Sequence, residues 1–223
     1  MNAEFWQTLW LTFQLAAITT LILLFIGIPV AYWLAFAKFR GKPFAEALVS
    51  LPLVLPPTVL GFYLLIALGP NSWLGQFLNN YFNIRLIFTF AGLVVGSVIY
   101  SLPFMVQPVQ AGLQNLPKQL SEASYILGKS KLETLFKVLL PNIRPALLSG
   151  IVLSFAHTVG EFGVILMIGG NIPGETRVAS IALYNEVESL NYAIANQYAL
   201  VLICFSLIVL SLVYTFNRRN WTK

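Results

Sequence analysis

The chain has 223 residues, of which 58% are hydrophobic and only 9% charged, with a formal net charge of +5. A soluble domain carries roughly 25% charged residues, so a water-solvated globule is excluded and the bilayer is the expected solvent. The positive charge sits in short segments between apolar runs, which argues against a nucleic-acid partner, and the single cysteine, Cys204, excludes an internal disulfide or a thiolate metal cluster.

Leu9 to Phe36 is almost wholly apolar. It follows an acidic start with Glu4 and is about twice the length of a signal-peptide core, so it reads as a first span. It is long enough to tilt, or to bend near Gly27 and Pro29. Lys38, Arg40 and Lys42 fill the next turn. Ala45 to Leu68 is the second span, and its Pro52, Pro56 and Pro57 remove three backbone donors. Such a span must pack among other helices or border a cavity. Residues 69–85 read as a polar loop. Leu86 to Val106 is the third span, and Pro103 and Pro108 near its end echo the proline-broken second span. Residues 107–145 form a polar central loop, and Ala146 to Ile168 is the fourth span. In the polar segment 169–197, Val178, Ile181, Ala182, Leu183 and Val187 repeat at helical spacing, which suits a helix lying flat in the interface. Tyr198 to Phe216 is the fifth span, and a basic tail follows.

Five spans put the two ends on opposite sides. Lys38, Arg40, Lys42, Lys118, Lys129, Lys131, Lys137, Arg144, Arg218, Arg219 and Lys223 then share one side, and only Arg85 and Arg177 lie on the other. The positive-inside rule places the N-terminus outside and the C-terminus in the cytoplasm. The expected architecture is one all-α membrane domain over 1–223 with a cytoplasmic loop at 109–145. A sixth span hidden in the long first segment is the alternative.

The central loop is too regular for a linker. Pro117 suits a helix start, Ser121 to Leu127 suits a short helix, Gly128 breaks it, and Lys131 to Leu139 suits another. Leu132, Leu135, Phe136 and Leu139 fall on one face. That face could meet lipid, the protein's own bundle, or a partner's groove. Gly128-Lys129-Ser130 mimics the end of a phosphate-binding loop, but the glycine required five residues earlier is Ala123 and no strand precedes it.

Glu122-Ala123-Ser124, Gly128 and Val138 to Pro141 resemble the "EAA" loop of ABC-transporter permease subunits, with Ser124 in place of a second alanine. The resemblance implies a type I ABC importer permease fold. It also implies that Glu122, Ala123, Ser124 and Gly128 dock on an ATP-binding subunit, with Leu140 and Pro141 restarting the chain toward the membrane. ATP and magnesium would be held by that partner, so the chain would bind no cofactor and hydrolyse nothing itself.

The fourth span carries the rarest residues. Gly150, Ser154, His157 and Glu161 would share one helical face, with His157 near mid-bilayer. An acidic residue facing lipid at the centre of a span costs about 2.5–3.5 kcal/mol, so the stripe should face the bundle interior or a water path. Two readings stay open. One is a structural hydrogen bond between His157 and Glu161. The other is a pathway or gate built from Ser154, His157 and Glu161, possible at a two-fold axis, with Gly160 and Gly163 permitting close helix approach. No nucleophile–base pair or metal cluster accompanies them. An ion-coupled carrier using Glu161 is the alternative of another class, but the internal repeat it would carry is reduced to proline echoes.

Leu51 to Pro57, Gly160 to Gly163 and Asn171 to Arg177 resemble the permease subunits of the molybdate/sulfate family over most of the chain. That resemblance implies molybdate as cargo, with tungstate or sulfate as alternatives. It further implies a homodimer, two ATP-binding subunits, and an external oxyanion-binding protein docking near Asn171, Glu175 and Arg177. The location implied is a bacterial or archaeal cytoplasmic membrane.

Overall fold

The computed structural model describes residues 3–219, except the side chains of 212–214 and 216–219. Twelve α-helices make up the regular structure of these residues, interrupted by a π-turn. The first, α1 (Ala3–Phe36), is one helix of 34 residues that runs through Gly27 and Pro29 without a break. It therefore conceals no second crossing. It starts six residues before the apolar run does, because Glu4 and Gln7 are tolerated in a first turn that projects beyond the hydrocarbon.

The expected second span is two helices, α2 (Lys42–Val54) and α3 (Pro57–Leu68), set at 110° to each other. The local cause is the Pro56-Pro57 pair. It removes two successive donors, and Leu55 ahead of it is forced into extended backbone at ψ 137°. Single prolines do less. Pro103 and Pro108 both lie inside α5 (Phe90–Gln114), which continues eight residues past the predicted end at Val106. The supposed polar loop 69–85 contains α4 (Trp73–Phe82), capped by the Ser72 hydroxyl at one end and by left-handed Asn83 at the other.

The central segment is a pair of short helices, α6 (Lys118–Ile126) and α7 (Lys131–Thr134). The second runs on through the π-turn Leu135–Leu139 into α8 (Leu140–Asn142). After a bend of 85°, α9 (Arg144–Gly160) enters the membrane. The predicted fourth span then breaks at Glu161-Phe162 before α10 (Gly163–Gly169). Next, α11 (Ala179–Glu188) buries Ala179, Ile181 and Ala182 against α1 and α12 (Tyr192–Arg219). Its apolar face is thus spent on the protein's own bundle. The tail residues 220–223 fall outside the described residues.

Among the described residues, α1, α5 and Tyr192–Ser211 of α12 are each long and apolar enough to cross a bilayer. Counting each of two sharply bent pairs as one crossing raises the number to five. Helices α1, α5 and α9 form the centre. Leu23, Ala31 and Leu34 of α1 pack with Met105, Val106, Val109 and Leu113 of α5 and with Leu135, Leu139 and Ile143. Close approach depends on small residues, since a Cβ at Gly27 would stand 2.6 Å from the Met105 side chain. A second cluster of Leu11, Leu15, Leu93, Ile165, Val178 and Ile181 fills the other half of the bundle. Cys204 lies on an outward, exposed face of α12.

Candidate functional site

The hairpin of α6 and α7 is specified locally. Pro117 caps α6. Leu127 ends it, Gly128 adopts φ +75°, and two backbone bonds close the turn, from Gly128 N–H to Tyr125 C=O (2.9 Å) and from Lys129 N–H to Ser124 C=O (3.1 Å). This is a Schellman C-cap, whose left-handed position favours glycine. The next helix starts with a capping box. The Ser130 hydroxyl accepts from Glu133 N–H at 3.2 Å, and the Glu133 carboxylate accepts from Ser130 N–H at 3.4 Å. Thus the serine of the apparent phosphate-loop ending is a helix cap. Glu133 also takes a hydrogen bond from Lys137 at 3.0 Å and faces Lys129 at 3.8 Å. The Lys137 bond, the backbone bond from Ser130 and these two cations hold its carboxyl below the usual carboxylate range.

Ser124 ties the two helices together through a buried 2.9 Å hydrogen bond between its hydroxyl and that of Thr134. Its neighbours point away. Glu122 and Ala123 are exposed, and Ile126 and Leu127 present large apolar side chains at 86% and 78% exposure. Leu140 and Pro141 lie within a helix, so the turn toward the membrane comes later, at Ile143, with Pro145 in the first turn of α9. The predicted apolar face Leu132–Leu135–Phe136–Leu139 is divided as well. Leu135 and Leu139 are buried, whereas Leu132 and Phe136 remain 69% and 62% exposed. The two pairs lie on adjacent i, i+4 rows, and the π-turn adds to the buried one. The turn's extra residue shifts the helical register, so that Leu135, Leu139 and Leu140 together enter the core.

Within the membrane region, α3, α5, α9 and α10 border an open cavity of about 460 Å3 whose walls include Thr58, Tyr100, His157, Gly160 and Glu161. His157 stacks on Phe104 with ring centroids 4.0 Å apart, and its Nδ1 lies 3.0 Å from the Ser101 hydroxyl. The Ser101 hydroxyl also lies 3.0 Å from the Thr158 hydroxyl, which donates to the Ser154 carbonyl at 2.9 Å. Because Thr158 spends its proton on that carbonyl, it accepts from Ser101. Ser101 in turn accepts from His157 Nδ1–H. The chain places a hydrogen on Nδ1, which in the neutral imidazole leaves Nε2 as acceptor.

Glu161 is only 3% exposed, yet it is not on a helix. It follows the end of α9 in extended backbone, and its own carbonyl accepts from the Ser180 hydroxyl at 2.5 Å. Neither carboxylate oxygen has a hydrogen-bond partner among the described residues. The Ser97 hydroxyl stands beside it, outside bonding geometry and likewise unpaired. The predicted four-residue stripe therefore separates. Gly150 and Ser154 are buried, with Gly150 against Met105 of α5, and only His157 and Glu161 reach the cavity. The predicted His157–Glu161 hydrogen bond is replaced by the link to Ser101. Of the two glycines, Gly163 makes a close approach, since a Cβ there would stand 2.7 Å from Pro57 Cβ. Gly160 has open space around it. Sequence reasoning missed Thr58, Tyr100, Ser97, Ser101 and Thr158. The i, i+4 hydroxyl pairs 97/101 and 154/158 were the available signal.

On the opposite side, Arg177 reaches Glu4 at 2.6 Å and Asn171 at 2.6 Å, and Asn171 also bonds Asn185 at 3.3 Å. The segment is thus fastened to the start of α1, and Glu175 is left exposed.

The sequence profile of the "Binding-protein-dependent transport system inner membrane component" family matches residues 24–222. The chain belongs to this family. It is 47% identical over 209 residues to the molybdenum transport permease ModB of Azotobacter vinelandii, covering 93% of this chain and 92% of that one. It is 36% identical over 207 residues to the probable sulfate permease cysT of Chlorella vulgaris, covering 93% and 77%. A bacterial ABC transporter that imports alginate shares the fold at a TM-score of 0.77 and 17% identity, over 98% of this chain and 80% of that one. The chain is an ABC importer permease of the molybdate/sulfate family with the type I permease fold.

Proposed function

We propose that this chain is the membrane-spanning subunit of an ATP-driven importer of molybdate, working as a homodimer with two ATP-binding subunits and an external oxyanion-binding protein. The observation that carries the cargo is the 47% identity to a molybdenum permease across nearly the whole of both chains. The coupling role is supported by the hairpin. It is rigidly capped, fastened internally through Ser124 and Thr134, and presents Ile126 and Leu127 outward. ATP and magnesium belong to the partner in this reading, and Glu122, Ala123 and Gly128 lie at the contact.

The same reading sets the N-terminus outside and the C-terminus in the cytoplasm, following the excess of lysine and arginine on the hairpin side. It makes the cavity beside His157 and Glu161 part of the path. Glu161 brings no positive charge to an oxyanion, so in this reading it serves closure of the path and not binding of the ion. The binding protein docks on the side of Asn171, Glu175 and Arg177. With Arg177 already engaged by Glu4, exposed Glu175 is the residue free to meet it.

The test is ATP hydrolysis in vesicles holding this chain and its ATP-binding partner, with binding protein plus molybdate, tungstate or sulfate. Molybdate stimulation that is lost in Gly128→Trp supports both cargo and coupling. Stimulation by sulfate alone would favour the second reading, a sulfate importer, which rests on the 36% identity to cysT. Gradient-driven uptake by the chain alone would overturn the ABC reading in favour of an ion-coupled carrier.

A further inference from the structure

Helix α1 and the coupling hairpin leave a slot of about 400 Å3 between them. Phe25, Ile28 and Tyr32 form one wall, Leu132 and Phe136 the other, and Lys131 stands among the lining residues. The walls are bare, with Phe25 at 81% exposure, Leu132 at 69% and Phe136 at 62%. In a bilayer bare apolar walls face acyl chains, so what sets this place apart is its concave shape beside a lysine.

The depth of the slot says what fits it. Exposed Trp6 and Trp10 mark the headgroup level at one end of α1, as aromatic belts do. A hydrocarbon core of about 30 Å spans about 20 helical residues. The opposite boundary therefore falls near positions 26–30, inside the slot. Exposed Trp33, stacked on Phe39, marks the second headgroup level just beyond. The slot thus straddles the line where acyl chains meet headgroups. The charge at that line is also unspent. Lys129 and Lys137 are paired with Glu133, whereas Lys131 is exposed and makes no ion pair among the described residues.

We propose that the slot binds an anionic phospholipid of the leaflet on the hairpin side, with an acyl chain against Phe25, Ile28, Leu132 and Phe136 and the phosphate on Lys131. The bound lipid fills the gap between α1 and the outer face of the hairpin, beside the direct contact made by Leu135 and Leu139. Naming that leaflet cytoplasmic rests on the orientation read above. The slot and its ligand do not.

The test is native mass spectrometry of the full chain released from nanodiscs of equal phosphatidylglycerol and phosphatidylcholine. One lysine at the surface gives a preference of about fivefold for the anionic lipid. That preference is expected in the wild type and in Lys137→Gln, and is lost in Lys131→Gln. Ile28→Trp, which fills the slot, lowers retention of both lipids while circular dichroism stays unchanged. Equal retention of the two lipids by the wild type would overturn the proposal. So would a preference that survives Lys131→Gln, or a photoreactive residue at position 132 that crosslinks only to protein, whether a second copy or an ATP-binding subunit. Lipid retention is read without ATP or oxyanion, so failure here leaves the transport reading standing, and the converse also holds.

Discussion

Replacing Gly128 separates what this residue does for the chain from what it does for a partner. Its φ of +75° lies in the left-handed region, and nothing stands within 4 Å of a Cβ built there. The cost of a side chain is therefore conformational and not steric, about 1–2 kcal/mol for alanine. Asparagine, which tolerates this region better, should cost less, and valine more. At about 1.4 kcal/mol per tenfold change, Gly128→Ala should raise the opening constant of the hairpin roughly 5- to 30-fold. Hydrogen–deuterium exchange of amides 124–134 in nanodiscs reads that constant directly. The expected order of protection is Gly, then Asn, then Ala, then Val. Equal protection in Gly and Ala, or a loss well beyond tenfold in Asn, would refute the argument. Gly128→Trp then becomes informative. It adds comparable backbone strain at a position whose Cβ has no neighbour within 4 Å, so a loss of ATPase coupling beyond that of Gly128→Ala, with hairpin protection equal to that of Gly128→Ala, reports obstruction of a docking partner.

Gly163→Leu should separate α3 from α10, because even its Cβ would stand 2.7 Å from Pro57 Cβ. Overpacking of this kind costs about 1–3 kcal/mol, to be read as a fall in the thermal midpoint of the purified protein. Ser101→Ala removes the relay between His157 and Thr158 and should cost about 1–3 kcal/mol. Nitrogen NMR of the imidazole should then show loss of the single fixed tautomer, and an unchanged spectrum would refute the assigned hydrogen-bond direction. The carboxyl of Glu133 is held low, so its stabilising contribution is complete above its unfolded value of about 4.3 and is lost as pH falls through the lower folded value. Hairpin protection should therefore weaken in acid, and Glu133→Gln should abolish that dependence.

Much of the architecture is readable from composition and from where charge interrupts apolar runs. The hairpin is readable in more detail, because its determinants are local: Pro117, the Gly128 C-cap and the Ser130–Glu133 box each act within a few residues. The prolines show where local reasoning stops. Adjacent Pro56 and Pro57 break a span, whereas Pro29, Pro103 and Pro108, each alone, do not. Helix α4 had its signal in Trp73, Phe77 and Tyr81 at i, i+4, i+8, masked by asparagines and a proline. The rupture at Glu161 had only a weak local signal in the flanking Gly160 and Gly163. It is held by distant partners, Ser180 on the Glu161 carbonyl and Pro57 against Gly163. The π-turn was equally hidden, since it answers the demand that Leu135, Leu139 and Leu140 all reach one core.

That rupture turns the fourth crossing into a lever with a fixed end. Above it, α10 is clamped to α3 at Gly61 and Gly163. Below it, α9 runs 17 residues, or about 25 Å, to the bend where the hairpin begins. A push of about 3 Å delivered there tilts such a lever by about 7° about Glu161-Phe162. The fulcrum is the one place along it where no backbone helix bond must stretch. Under the proposed coupling role, a stroke applied at the hairpin would return as a rotation beside the cavity, with the clamped half left where it was.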